Sequence, residues 1–210
     1  MIKIALFSGG DLISFTGDFD YYVGIDRGSL FLLENGLSLD MAVGDFDSVS
    51  VEEFQIIQKQ AKKIIKAPAE KDDTDTEMAL KEIFKAFPQA LVTIFGAFGG
   101  RLDHLMSNVF LPEDPVLSPF MRQIQLKDQQ NSIEFYPAGC HIVFPQKDMT
   151  YVAFMTEGDG DLTIEGAKYN LTSSNFFKKK IYSSNEFVGQ PIKISLDFGY
   201  LIVIHSKDRS

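Results

Sequence analysis

Asp45 and Asp47, in the run MAVGDFDSV (41–49), stand one residue apart directly after a short apolar stretch. On a strand the side-chain period is two, so both point the same way and repel each other unless something positive lies between them. A divalent cation answers that. So does a solvated turn, because an Asp after a strand bonds nearby backbone donors. A second acidic stretch, EKDDTDTE (70–77), has the same two readings. Thr74 with Glu77 three residues on makes a capping box, and Asp75 suits the positive end of the helix that follows. A cap leaves Asp72, Asp73 and the adjacent Lys71 unexplained, and crowded carboxylates are tolerable around Mg²⁺, a hard ion that prefers oxygen ligands.

GAFGGRLDH (96–104) adds the positive side of the chemistry. Its glycines, Gly99 and Gly100 among them, let the backbone turn tightly and approach a ligand. Arg101 offers a bidentate fork to phosphate oxygens, and the start of the next helix offers free N–H groups. The alternative is a tight turn with Arg101 paired to Asp103. Neither a Walker A ending nor a G-x-G-x-x-G occurs, which excludes the common P-loop and the dinucleotide fingerprint. His104, His141 and His205 form no metal-binding spacing. NFFKKKIYSSNE (175–186) reads as a solvated edge.

These groups need elements to hold them. IKIALFSGG (2–10), YYVGID (21–26), MAVGD (41–45), KKIIKAP (62–68) and ALVTIFGA (90–97) read as strands. They alternate with helices after Asp26, after Ser50, over 74–87 and over 101–110, the pattern of parallel βαβ units. Every polar cluster (Ser8-Gly9-Gly10, Asp26-Arg27-Gly28, Asp45 with Asp47, Lys71 to Asp75, Gly96 to Asp103) follows a strand. In a parallel sheet all such loops share one edge, where ligands of open α/β sheets bind. From residue 124 the pattern changes to short strands: IQLKD, SIEFY, HIVFP, TYVAFM, DLTIEG, PIKISLD and YLIVIHS. The expected architecture is an α/β domain with a mostly parallel, Rossmann-like sheet (1–123), then a small all-β, sandwich-like domain (124–210).

Composition sets the limits. The 210 residues suffice for a substantial core, and 20 basic against 29 acidic residues give a net charge of −9. That balance argues against a general nucleic-acid or anionic-membrane binder. A single cysteine, Cys140, allows no intrachain disulfide and no cysteine-based zinc site. The opening apolar run is too short for a signal peptide and no stretch approaches a membrane span, so a cytoplasmic protein is expected.

Taken in order, GDFDS, KDDTD, GAFGGRLDH and SSNEF (183–187) resemble the motifs of bacterial thiamine pyrophosphokinases, nearly end to end. The resemblance implies transfer of pyrophosphate from ATP to the hydroxyl of thiamine, giving thiamine diphosphate and AMP, with Mg²⁺. It implies a homodimer that binds thiamine where the catalytic domain of one subunit meets the β-domain of the other. It makes Asp45, Asp47 and Asp75 the magnesium ligands and sets Lys71, Thr74 and Arg101 beside the ATP phosphates. Asp26, Arg27 and Gly28 match the nucleotide-side loop, with Gly99 and Gly100 in the glycine loop. Asp103 would bond the thiamine pyrimidine, and Ser183 or Ser184, with Asn185, would close the pocket from the partner subunit. Phe98 departs from the family's small polar residue. A haloacid-dehalogenase-like phosphatase, a non-catalytic nucleotide or thiamine sensor, and a pyrophosphokinase for another alcohol are the competing readings.

Overall fold

The structure, a computed structural model, describes every residue except 13, 14, 16, 69–71, 179, 209 and 210. The chain divides into two compact units, Met1–Gln129 and Gln130–Ser210. Among the described residues no helix is long and apolar enough to cross a membrane.

In the first unit the described strands are β1 (Lys3–Phe7), β2 (Tyr21–Ile25), β3 (Met41–Gly44), β4 (Lys63–Lys66), β5 (Leu91–Phe95) and β6 (Ile124–Lys127). They form a parallel sheet in the order β6-β5-β1-β2-β3-β4. The helices are α1 (Arg27–Glu34), α2 (Val51–Gln60), α3 (Asp75–Ala86) and α4 (Leu102–Val109). Strands β1 and β3 are apolar almost throughout, as befits strands covered on both faces. One cluster joins Phe7, Leu30, Leu32, Phe46, Ile57 and Phe95, with Phe7 stacked on Phe95 at 5.1 Å. Helix α3 buries Ala79, Leu80, Ile83 and Phe84, the i, i+1, i+4, i+5 stripe of an amphipathic helix. Gly28 lets α1 sit against the carboxyl end of β1: a Cβ there would lie 2.0 Å from the carbonyl oxygen of Phe7.

Two expectations change. Strand β6, grouped in the sequence reading with the β region, pairs in parallel with β5 and completes the first sheet. Its alternating IQLK pattern fits a strand of either kind of sheet. In the second unit, SIEFY and HIVFP are one strand, β7 (Asn131–Val143), and PIKISLD and YLIVIHS are another, β11 (Ile192–Ser206). Pro137 and Gly139 look like a turn in sequence, but a register shift opposite them, between Leu196 and Tyr200, absorbs the irregularity within a single antiparallel ladder. The other strands are β8 (Tyr151–Glu157), β9 (Leu162–Glu165) and β10 (Tyr182–Asn185). β11 pairs with β9 through its first half and with β8 through its second. Phe154, Leu162, Ile164, Ile194, Leu201 and Val203 share the core.

Candidate active site

After β1 the chain proceeds through β2, β3 and β4, then returns to β5 on the other side of β1. The carboxyl ends of β1 and β5 therefore flank the switch in strand order, and their loops are bonded together. The N–H of Gly10 donates to the carbonyl of Gly96 (3.0 Å) and that of Asp11 to the carbonyl of Phe98 (3.1 Å). Gly99 and Gly100 both have positive φ, 85° and 64°. The buried amide of Asn108, on α4, donates to the carbonyl of Ala97 (3.2 Å) and fixes the start of the glycine loop.

Asp26 follows β2 with a φ of 45°, and its Oδ1 accepts the N–H of Phe46 (3.1 Å) from the loop after β3. Arg27 reaches that loop too, donating to the carbonyl of Ser48 (3.3 Å). The Asp26 carboxyl is pushed up to about 6, first by burial and next by the charge of Asp75. The Phe46 N–H opposes the rise, and Asp45 and Asp47 add smaller upward contributions. Asp26 thus feels carboxylates that follow two other strands at the edge of the sheet. The Oδ1 of Asp45 accepts the N–H of Asp47 (3.0 Å), so the turn reading of this pair also holds. Among the described residues no three acidic, histidine or cysteine groups stand close enough together to hold a metal ion by themselves.

Thr74 caps α3: its Oγ1 accepts the N–H of Glu77 (3.2 Å), and its own N–H donates to the Glu77 carboxylate (2.6 Å). Lys71 lies outside the described residues. The guanidinium of Arg101 forks onto the carboxylate of Asp103, both of them exposed, and this ion pair holds Asp103 below the usual carboxylate range. Beside Asp103 an open recess of about 600 Å³ is lined by Glu77, Met106, Phe110, Glu113 and Asp114. Its lining combines apolar Met106 and Phe110 with the carboxylates of Glu77, Asp103, Glu113 and Asp114.

In the second unit a pocket of about 310 Å³ is lined by Tyr169, Asn175, Lys180, Tyr182, Ser183 and Asn185. Ser184, with a φ of 56°, sits at the irregular pairing of β10 with β8 and is not part of that lining. The buried amide of Asn185 makes three bonds to backbone. Its oxygen accepts the N–H groups of Tyr169 (2.9 Å) and Glu186 (3.0 Å), and its nitrogen donates to the Tyr169 carbonyl (2.8 Å).

The model of the thiamin pyrophosphokinase catalytic domain matches residues 14–116, and that of the thiamin pyrophosphokinase vitamin B1 binding domain matches residues 140–201. The chain belongs to the thiamine pyrophosphokinase family. Thiamine pyrophosphokinase of Bacillus subtilis (strain 168) is 33% identical over 201 residues, covering 94% of this chain and 92% of that protein. The crystal structure of a thiamin pyrophosphokinase family protein from Enterococcus faecalis superposes with a TM-score of 0.92 at 45% identity, covering 99% of this chain and all of that one. The thiamin pyrophosphokinase from Geobacillus thermodenitrificans gives 0.81 at 31% identity, covering 100% of this chain and 99% of its own. Neither the phosphatase nor the sensor reading is favoured by these likenesses.

Seen as a thiamine pyrophosphokinase-family chain, the motif residues fall into three places. Asp26, Asp45, Asp47 and Asp75 converge at the sheet edge, with Arg27, Gly28 and Thr74 on the same loops and helix starts. Arg101 and Asp103 are brought together with each other. Ser183 and Asn185 share a pocket of the second unit. Sequence reasoning passed over Lys81, which bonds Asp73, and Tyr169, whose backbone Asn185 grips. An ordinary helix lysine and a lone tyrosine carry no motif signal.

Proposed function

We propose that this chain transfers the pyrophosphoryl group of ATP to the hydroxyl of thiamine, releasing thiamine diphosphate and AMP, and that it works in the cytoplasm. The hydroxyl oxygen forms a bond to the β-phosphorus, the bond from that phosphorus to the α-bridging oxygen breaks, and AMP leaves with the electron pair. The hydroxyl proton passes to Asp45 or Asp47. Asp26, Arg27 and Gly28 face the nucleotide, while Lys71, Thr74, Arg101 and the Gly99-Gly100 turn attend the phosphates. Asp103 bonds the pyrimidine ring. In a homodimer, Ser183 or Ser184 with Asn185 closes the thiamine pocket from the partner subunit. Asn185 holds the Tyr169 backbone beside that pocket and keeps one amide N–H beyond its bond to the Tyr169 carbonyl.

The observation that carries this reading is the placement of Asp26, Asp45 with Asp47, and Asp75 on loops and a helix start that follow β2, β3 and β4, with Asp26 bonded across to the loop after β3. An all-oxygen donor set suits Mg²⁺, which binds through one or two carboxylates and substrate phosphates rather than in a cage built by protein alone. Asp45, Asp47 and Asp75 would hold the ion, which when bound neutralises charge on the triphosphate. The chain's own work is to position donor and acceptor and exclude alternatives. Arg101 must trade Asp103 for phosphate, and that exchange frees Asp103 for thiamine. The test is to incubate the protein with ATP, Mg²⁺ and thiamine and weigh the products. AMP and thiamine diphosphate in equal amounts are expected; ADP or free phosphate would overturn the reading.

A further inference from the structure

Lys81 stands on α3 six positions after Asp75, on no motif. Its ammonium bonds both oxygens of Asp73, at 2.8 Å each, and the Oδ2 of Asp114 at 2.6 Å. Burial works against the charge of Lys81, yet Asp114 and Asp73 hold its pKa above the usual lysine value. Asp73 belongs to the loop that enters α3 through Thr74 and Asp75. Asp114 follows the 3-10 turn Leu111–Glu113 beyond α4 and lines the acidic recess with Asp103. The other oxygen of Asp114 accepts the N–H groups of Val116 (2.7 Å) and Leu117 (3.3 Å), so its own backbone is fixed. Phe84 stacks on Phe120 at 4.3 Å, holding the same helix to the same segment one turn further on. One cation therefore ties Asp73, at the entry to the helix that begins with Asp75, to Asp114 in the lining of the recess that includes Asp103. Without it, two carboxylates that share a partner would face each other in a chain of net charge −9.

We propose that Lys81 is a positioning residue of the transfer reaction: through Asp73 and Asp114 it sets the donor-side loop against the acceptor-side recess. The inference rests on the function proposed above. It also explains why Asp73 stands in an acidic loop whose cap does not need it.

The test compares Lys81→Met, which keeps the aliphatic stem, with Lys81→Arg, which keeps the charge. Lys81→Met should raise the KM for Mg·ATP and lower kcat, cutting kcat/KM about ten- to a hundredfold, as a misplacement of about 1 Å can. Lys81→Arg should recover to within about threefold of the parent, since charge is kept and only the fork geometry differs. Asp73→Asn should mimic Lys81→Met, and the double variant should add little to either single one. Independently of activity, amide exchange read by mass spectrometry should quicken about tenfold over 72–77 and 112–117 in Lys81→Met, with β1 and β5 unchanged. Parent-like kinetics in Lys81→Met, additive losses, or exchange that quickens equally in β1 and β5 would overturn the proposal. Should Lys81→Met fail to fold, Lys81→Arg and Asp73→Asn decide by the same kinetics and exchange. If the parent protein forms no AMP, the proposed function fails while the exchange measurement still judges the Lys81 tether.

Discussion

A Cβ on Gly44 would lie 2.0 Å from the Oδ1 of Asp26, at a φ of +147° that side chains rarely adopt. That oxygen already accepts the Phe46 N–H, so it has no easy retreat. Gly44→Ala should therefore cost more than about 2 kcal/mol, combining strain with displacement of a half-buried carboxylate. Activity should fall at least about tenfold, because Asp26 moves relative to Asp45 and Asp75. Gly36 is the control, with a φ of +69° and nothing within 4 Å of an added Cβ. Gly36→Ala should cost about 1 kcal/mol and leave kcat/KM unchanged. Urea unfolding and the AMP assay on both variants check the contrast; equal activities would sink the steric argument. At this scale the sequence marks residue types but not their commitments. GDFDS shows two carboxylates, yet not that one closes a turn on the other. SSNEF shows an asparagine, yet not that its amide grips the backbone of Tyr169, sixteen residues away in the chain.

Helices α2 and α3 begin with the same device at different distances from the acidic corner. Ser50 accepts the N–H of Glu53 (3.2 Å) and receives the Glu53 carboxylate on its own N–H (2.7 Å); Thr74 and Glu77 do the same for α3. Each cap satisfies two amides that would otherwise be unpaired, so Ser50→Ala and Thr74→Ala should each lose about 1 kcal/mol of stability. Only Thr74→Ala should also lower kcat/KM, because the first turn of α3 carries Asp75, and Thr74→Ser should restore both quantities. Matching losses of activity in the two alanine variants would make the cap merely structural. Helices and parallel strands were readable because apolar period, cap and stop agree at each of them. The second unit was less so. A proline and a glycine inside β7 signal a turn locally, and only the partner strand's register shift keeps the ladder going. Strand β10, with the sequence Tyr-Ser-Ser-Asn, has no apolar alternation to find; it forms by pairing with β8.

For the molecule as a whole, acid stability turns on a group outside the acidic corner. His205 is fully buried on β11, stacked with Phe187 at 6.0 Å, and neither ring nitrogen has a hydrogen-bond partner. The charged group facing it is Glu134 of β7, whose Oε2 is 4.0 Å from Nε2, too far to offset desolvation. Burial lowers its pKa from 6.5 to about 4. The unfolded chain therefore binds a proton that the folded chain refuses between those values. Stability from this group is complete above pH 6.5, falls as pH drops, and is lost by about pH 4. The loss amounts to about 3 kcal/mol at 1.36 kcal/mol per unit. Asp26, raised to about 6, works in the opposite sense over the same range, so denaturant unfolding at pH 7, 5.5 and 4.5 should show the histidine's share as the difference in slope between the parent and a variant without the imidazole. His205→Phe keeps the flat ring and the stack, and an apolar group there leaves no polar atom unsatisfied. That variant should match the parent at pH 7 and surpass it at pH 4.5, its unfolding free energy having lost the histidine's share of the slope. An unchanged slope in His205→Phe would assign acid sensitivity to the carboxylates instead, since every lowered aspartate, Asp40 and Asp114 among them, also loses its stabilising charge as pH falls. The two sources separate by range: the histidine acts from 6.5 downward, whereas carboxylates with lowered values act only below their ordinary pKa of about 4.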